Sequence, residues 1–169
     1  MSSSKSLRGI LVVLIVAVLA GCGFRPMHAT FADGAVADEL AQVYIAAIPD
    51  RVGQRLRNDL LDRMTPKGVP AKNAYRLEVN LTSTRPPTAL STSDLATRRN
   101  YSLTARFTLT SSDGKKRLMS GQYRALTSFD IVDSEYATLA SHDYAEKLAA
   151  AQVADVIFTK VSLYFTSKR

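Results

Sequence analysis

The 169-residue sequence contains one cysteine, no tryptophan and only two histidines, His28 and His142. A lone cysteine cannot form an internal disulfide, and neither histidine has a cysteine or histidine partner at the spacing of a metal site. A glycine-rich phosphate loop, a nucleophile elbow and a zinc-protease motif are also missing. Ser141-His142-Asp143 contains triad residue types, but adjacent residues on a helix point apart. The sequence therefore predicts no enzyme, no metal and no cofactor.

The N-terminus has the three parts of a secretory signal peptide. Lys5 and Arg8 precede an uninterrupted apolar run over residues 10–20, and small residues follow the run. The run is too short to span a bilayer comfortably as a permanent helix. These features predict a signal peptide over residues 1–21 and export from the cytoplasm, which disfavours nucleic acid as a partner.

The cysteine lies directly after this leader, in Leu19-Ala20-Gly21-Cys22. The motif resembles the lipobox, in which Leu19, Ala20 and Gly21 would be recognised by the lipoprotein signal peptidase. The resemblance implies a diacylglycerol on the Cys22 thiol and a further acyl chain, typically palmitate, on its new amino group. One acyl chain binds a membrane only marginally, so several chains would be needed for firm anchoring. A plain signal peptide and a single-pass anchor are the alternatives.

The residue after the cysteine indicates which of the two membranes holds the lipoprotein. Gly23 occupies the position where inner-membrane lipoproteins often carry aspartate, which favours the outer membrane with the domain on the periplasmic side. After the leader, residues 22–41 are predicted to form a lipidated tether. Residues 42–169 are predicted to form a single domain, since a chain of this length buries enough surface to fold alone.

The positive charge of the chain after the leader is concentrated in residues 85–124, which hold eight bases and two acids. Such a segment attracts anions, for example phosphate-bearing lipids. Its alternative interpretation is a solvated basic face that only aids solubility. On charge alone, the candidate residues for binding an anion such as lipopolysaccharide are Lys115, Lys116 and Arg117, followed by Arg106 and Arg99.

Four segments have the patterns of strands. Residues 42–48 are apolar on both faces, which predicts a central strand. Residues 74–84 and 100–110 alternate apolar and polar side chains, which predicts one buried and one exposed face. Residues 117–128 follow the turn signal Asp113-Gly114 with weaker alternation, as expected of an edge strand. The last three segments are predicted to form an antiparallel meander.

Two segments have the spacing of amphipathic helices. Residues 51–64 carry an apolar residue every fourth position, with Asp50 as a predicted N-cap and an ordinary solvated charged face. Asp133 or Ser134 can cap a second helix that runs almost to Arg169. The predicted fold is an α+β two-layer sandwich, with a mixed four-stranded sheet and two helices on its apolar face.

A short motif after the leader indicates a family. Cys22-Gly23-Phe24-Arg25-Pro26 resembles the start of LptE lipoproteins, particularly alphaproteobacterial ones. The order of elements and the C-terminal Leu163-Tyr164-Phe165 resemble the family as well. The family often continues with Leu-Tyr, where this chain has Met27-His28.

The resemblance implies a non-enzymatic outer-membrane lipoprotein. LptE proteins plug the lumen of the β-barrel LptD, help it to assemble and bind lipopolysaccharide. No individual binding residue transfers from the family by motif. The alternative function is an auxiliary lipoprotein of a periplasmic ABC-type lipid-transport system, which would share the anchor and the compartment.

Overall fold

The structure, a computed structural model, describes residues 34–66, 68, 73–84 and 98–168. The predicted signal peptide and the lipobox Leu19-Ala20-Gly21-Cys22 lie outside these residues and stay predictions. The elements in chain order are α1 (Gly34–Ala41), β1 (Val43–Ile45), α2 (Asp50–Met64), β2 (Tyr75–Thr84), β3 (Arg98–Ser111), β4 (Arg117–Asp130) and α3 (Glu135–Ser167).

The four strands form one mixed sheet in the order β1-β2-β3-β4. β1 pairs parallel to β2, and the other pairs are antiparallel, so the predicted meander and the α+β class are confirmed. Alternate residues of each strand are buried against the helices, for example Leu77, Leu103 and Phe107. The predicted edge position of β4 is also correct.

The prediction that the first strand is central was wrong, because β1 lies at an edge of the sheet. Val43 and Ile45 face the core, but Tyr44 on the other side is 39% exposed. The Arg76 guanidinium lies 5.5 Å from the centre of the Tyr44 ring and covers part of it. The second apolar face is therefore one tyrosine shielded by an arginine, a long-range contact that the local pattern does not contain.

Helix α3 supplies much of the core. The predicted amphipathic spacing is confirmed, because residues at helical spacing form a buried stripe; they are Ala150, Val153, Ala154, Ile157 and Val161. The helix is long and apolar enough to cross a membrane by length and composition. Its buried residues pack against the sheet, so in this domain it serves as a core helix. Its first turn is capped by Ser134, whose hydroxyl accepts a hydrogen bond from the Ala137 N–H, as predicted.

Helix α2 begins differently from the prediction. Pro49 occupies the N-cap position without a side-chain hydrogen bond, and Asp50 is the first helical residue, at φ +67°. A non-glycine residue rarely adopts this left-handed conformation, and aspartate is among those that tolerate it. Gly53 then packs its backbone directly against Ile48, a contact that leaves no room for a side chain.

The charged face of α2 is exposed or half-buried, as predicted, but three of its arginines also form ion pairs with α3. Arg55 donates to both carboxylate oxygens of Asp143 at 3.0 Å, and Arg51 contacts the same carboxylate at 2.6 Å. Arg63 pairs with Asp155 at 2.9 Å. The Arg55 hydrogen bond and the charges of both arginines lower the pKa of Asp143. These ion pairs join the two helices at their surface.

Helix α1 lies within the segment predicted as a tether. Val36 and Leu40 of this helix are buried in the core. The Tyr75 hydroxyl donates a hydrogen bond of 2.6 Å to the Glu39 carboxylate, which ties α1 to β2. The hydrogen bond to Glu39 raises the pKa of Tyr75 to about 12. The compact unit of the structure therefore begins at Gly34 and includes eight residues that the sequence analysis assigned to the tether.

Candidate functional site

The side of the sheet turned away from the helices, called here the outer face, carries many polar side chains. They are exposed or half-buried apart from Ser102, which is buried, and Leu126 opposite Ser102 is an exposed apolar residue. Strand register places Arg106 between Asn80 and Gln122, and Thr108 between Glu78 and Ser120. The polar residues of the outer face are Arg76, Glu78, Asn80, Thr82, Thr104, Arg106, Thr108, Thr110, Ser120, Gln122 and Arg124.

Hydrogen bonds run across the strands of the outer face. Arg106 donates to the Gln122 side-chain oxygen at 3.2 Å. Arg124 donates to the Ser102 hydroxyl at 3.3 Å, and Ser102 in turn donates to the Thr84 hydroxyl at 3.1 Å. In the described part of the chain neither arginine forms an ion pair, so two guanidinium groups on adjacent strands keep their charge uncompensated. The outer face can therefore make polar contacts with water, a wet protein surface or an anion.

Arg124 belongs to this site although it was not among the candidate residues. It stands opposite Thr104, which makes it a diagonal neighbour of Arg106 at about 7–8 Å across the strands. The alternation of inward and outward side chains along β4 could have identified it from the sequence. Arg124 is an even-numbered residue on β4, like Gln122, and both alternate with the inward residues Tyr123 and Ala125.

The candidate residues Lys115, Lys116 and Arg117 are all exposed at the turn between β3 and β4. Gly114 has φ +69°, the left-handed conformation that this tight turn requires. The Asp113 carboxylate accepts hydrogen bonds from the Ser111 hydroxyl at 2.6 Å and the Lys115 N–H at 3.1 Å, which lower the pKa of Asp113. The turn thus projects three cations and one carboxylate into solvent.

Arg99 lies far from the other candidates. It pairs with Phe129 and shares the inward face of β3 with Tyr101, and it is half-buried. Ser111 at the turn is twelve positions further along the extended strand, a distance of roughly 40 Å. The five candidate cations therefore occupy three places: the turn, the middle of the outer face (Arg106) and the inner end of β3. They do not form one cluster.

Ser141, His142 and Asp143 do not act as a triad among the described residues; each of them makes a contact that belongs to the fold. Ser141 accepts a hydrogen bond from the Asp130 N–H, and Asp143 binds the arginines of α2. The His142 ring packs edge-on against Phe129, with ring centres 4.8 Å apart. No three His, Cys, Asp or Glu side chains in the described ranges are placed to hold a metal ion.

A pocket of about 200 Å³ lies between the start of α2, the end of β2, the middle of β3 and helix α3. Leu81, Ser83 and Leu103 line its sheet side. Its charged residues are Asp50, Arg51 and Glu146, of which Arg51 and Glu146 are paired, with 3.3 Å between Arg51 Nη2 and Glu146 Oε2. The pocket thus presents only the Asp50 carboxylate outside this ion pair, whereas the outer face and the turn present several cations and are the better candidate site for an anion.

Comparison with known proteins supports the same family as the N-terminal motif. The family model of LptE, described as lipopolysaccharide-assembly, matches residues 40–161, which is more than half of the chain. Among curated proteins, none matches the sequence.

Several solved structures share the fold. A Caulobacter crescentus CB15 protein assigned as a lipoprotein has a TM-score of 0.67 and 20% identity, covering 80% of this chain and 98% of its own. A minor lipoprotein of Acinetobacter baumannii has a TM-score of 0.55 and 22% identity, covering 72% and 91%. Rare lipoprotein B of Shewanella oneidensis has a TM-score of 0.53 and 10% identity, covering 75% and 98%. At these identities the likeness establishes the fold alone.

Proposed function

Because the chain belongs to the lipopolysaccharide-assembly family LptE, we propose that it is an outer-membrane lipoprotein that assembles with an LptD-type β-barrel. In this role it plugs the lumen of the barrel and helps to deliver lipopolysaccharide to the outer leaflet. The role is non-catalytic: the chain contributes a surface and an anchor, and it requires no cofactor beyond its covalent lipid.

The observation that carries the proposal is the polar outer face, most of whose polar side chains are exposed. The interior of a large outer-membrane barrel is polar and hydrated, so a partner inside it needs a wet surface of this kind. The strands β3 and β4 are each 14 residues long, which corresponds to roughly 45 Å. The hydrocarbon core of a bilayer is about 30 Å thick. The two strands are therefore longer than the hydrocarbon core is thick.

The anchor in this proposal is acylated Cys22, with Leu19, Ala20 and Gly21 removed as the end of the leader. The lipoprotein names of the structural neighbours support this assignment. Acyl chains on Cys22 would hold the domain at the periplasmic surface of the outer membrane, next to the barrel. Gly23 is consistent with that membrane, as argued from the sequence.

The test of the proposed function is affinity purification of the tagged full-length protein from the detergent-solubilised outer membrane of its host. We expect a large β-barrel protein to co-purify, and mass spectrometry to find an N-terminal Cys22 that carries acyl chains. Recovery of an ABC-type transport system instead of a barrel would favour the alternative function. An N-terminus elsewhere, or a free thiol on Cys22, would contradict the anchor.

For lipopolysaccharide, the exposed turn is the first candidate within the proposed site. Ammonium and guanidinium groups form charge-assisted hydrogen bonds to phosphate, such as the phosphates of lipid A. Each such bond contributes about 1.5–3 kcal/mol. We therefore expect the double variant Lys115→Glu/Lys116→Glu to bind purified lipopolysaccharide at least about tenfold more weakly, with a smaller dependence on salt. Adding Arg117→Glu should weaken binding further.

The matched control for the turn is Lys147→Glu/Lys160→Glu, which changes the net charge equally at two exposed positions of α3. Binding isotherms at low and physiological salt would compare the two variants. Equal loss in both would show a general charge effect. Unchanged binding in the turn variant would reject the turn as the lipopolysaccharide site.

A further inference from the structure

Strand β4 lies at an edge of the sheet and pairs only with β3 among the described strands, from Arg117 to Asp130. A strand with one neighbour has backbone N–H and C=O groups that point away from the sheet. Within the described residues, no backbone–backbone hydrogen bond reaches these outward groups over residues 118–128, called here the β4 edge. The opposite edge strand, β1, is only three residues long. The β4 edge is therefore the long open edge of this sheet.

Hydrogen bonds in the structure show which residues of the β4 edge carry the outward groups. In an antiparallel pair, opposed residues alternate between those that exchange hydrogen bonds and those that do not. The Ser111 N–H donates to the Lys116 carbonyl at 2.9 Å, so odd-numbered residues of β3 bond toward β4, where their partners are also odd-numbered. The even-numbered residues 120–128 therefore direct their backbone groups outward. Asp130 agrees with this assignment, because its N–H donates to the Ser141 hydroxyl of α3.

The β4 edge has few of the features that normally keep an edge strand from pairing. Such features are prolines, lysines, bulges and covering elements. Residues 118–129 contain no proline and one charged residue, Arg124. The register shift in the pairing with β3 lies between Leu109 and Thr110, next to the turn, and α3 satisfies an outward group at the far end, Asp130. The roughly 35 Å between these two ends is open to an added strand.

The side chains along the β4 edge define what an added strand must carry. Met119 and Tyr123 are half-buried on the helix side, whereas Gln122 and Arg124 are exposed on the outer face. Cross-strand neighbours lie on the same face, so the added strand should alternate apolar residues with polar ones. Arg124 forms no ion pair within the described residues. A carboxylate opposite Arg124 is therefore favourable in the added strand.

A second copy of β4 does not supply this carboxylate. If two copies pair about a two-fold axis centred on any residue from 122 to 126, the residue opposite Arg124 is one of five, none of them acidic: Ser120, Gln122, Arg124, Leu126 or Ser128. Centring on Arg124 places two guanidinium groups directly opposite each other, which is destabilising. Placing Asp130 opposite Arg124 leaves only residues 124–130 paired, and the Asp130 N–H is already bonded. A strand from a different protein fits better.

We propose that an extended segment of the barrel protein adds a fifth strand to the sheet along the β4 edge. The strands of a closed barrel wall are already paired on both sides, so the segment comes from a loop or a terminus of the barrel protein. The identity of this partner rests on the proposed function. The chemistry of the segment, an alternating strand with a carboxylate opposite Arg124, rests on the edge itself. Main-chain hydrogen bonds provide affinity in such a pairing, and alternate side chains provide specificity.

Amide hydrogen exchange tests the pairing residue by residue, on the full-length lipoprotein alone and in its purified complex with the barrel. We expect the N–H groups of Gln122, Arg124 and Leu126 to exchange rapidly in the lipoprotein alone and at least about tenfold more slowly in the complex. The N–H groups of Tyr123 and Ala125 bond to β3 and should exchange slowly in both samples. Rapid exchange at the three even-numbered positions of the complex would overturn the added strand while leaving the proposed function intact.

Two double variants separate the backbone of the β4 edge from its side chains. Gln122→Pro/Leu126→Pro removes two outward N–H groups, a change that an edge strand tolerates because the sheet does not use them. Gln122→Ala/Leu126→Ala removes the same side chains and keeps both N–H groups. We expect the proline pair to lower the amount of co-purified barrel at least about tenfold. The alanine pair should stay within about threefold of the parent protein.

Each other outcome has a separate meaning. Equal loss of the barrel in the proline and alanine pairs would assign the contact to the side chains and contradict the added strand. Slow exchange at the even-numbered positions in the lipoprotein alone, lost on dilution, would show that a second copy covers the edge. Recovery of no barrel with the parent protein would reject the proposed function and the assigned partner together. The exchange experiment uses the parent chain, so a folding defect in the proline pair does not affect its result.

Discussion

Tryptophan at both Thr104 and Thr108 should abolish recovery of the barrel from detergent extracts, with a loss well above tenfold. Both threonines lie on β3, which has a strand on each side, and both are half-buried on the outer face. If this face fits against the wall of a lumen, two indole rings on its central strand have no space there, and overpacking costs about 1–3 kcal/mol per site. Co-purification of the variant from host membranes would measure the effect.

The domain itself should tolerate this change. Aromatic residues are favourable in strands, and the two side chains point away from the core. The matched control places tryptophan at Lys147 and Lys160, which are exposed on α3. We expect the control to retain the barrel and both variants to unfold at the temperature of the parent protein. A normal amount of barrel with Thr104→Trp/Thr108→Trp would show that the outer face is not the contact.

The second large effect concerns Gly53→Ala in α2, which should destabilise the domain by about 1–3 kcal/mol. Alanine in place of glycine in a helix normally stabilises by about 1 kcal/mol, so the expected sign is reversed. An added Cβ would lie 2.7 Å from Ile48 Cγ2 and 2.9 Å from the Ile48 carbonyl oxygen. The backbone contact cannot be relieved by rotating a side chain, and Ile48 is itself buried in the core.

The control for this prediction is Gln54→Ala, one residue further along the same helix and exposed. Surface changes of this kind stay within about 0.5 kcal/mol. Chemical denaturation of both variants would give the two free energies of unfolding. Higher stability of Gly53→Ala than of the parent would mean that the contact with Ile48 relaxes and that the close approach is not required.

The faces of the strands could be predicted because their cause is local. Leu77 and Val79 on β2, and Leu103, Phe107 and Leu109 on β3, are buried as the period of two requires. Such a pattern depends only on neighbours along the chain. The same pattern misled at β1, where Tyr44 has a partner, Arg76, that is distant in sequence.

The candidate site could be predicted only in part. The turn Lys115-Lys116-Arg117 lies in the open as expected, because Asp113-Gly114 is a local turn signal. Which charged side chains lie close together depends on strand pairing between residues that are distant in sequence. Arg106 gained Arg124 as its diagonal neighbour, and Arg99 was separated from both because its place on the strand points it inward. A count of charges along a segment contains no information on which face each charge takes.

The sequence by itself determined the two-layer α+β class, the inward faces of β2 and β3, the apolar stripe of α3 and its Ser134 cap. These follow from periods of two and 3.6 residues and from one side-chain hydrogen bond, all set within a few residues. The tertiary structure alone decided the edge position of β1 and the binding of the α2 arginines to α3. These features depend on which strand lies at the edge of the sheet and on which side chains distant in sequence meet. Both are set by the packing of the whole domain.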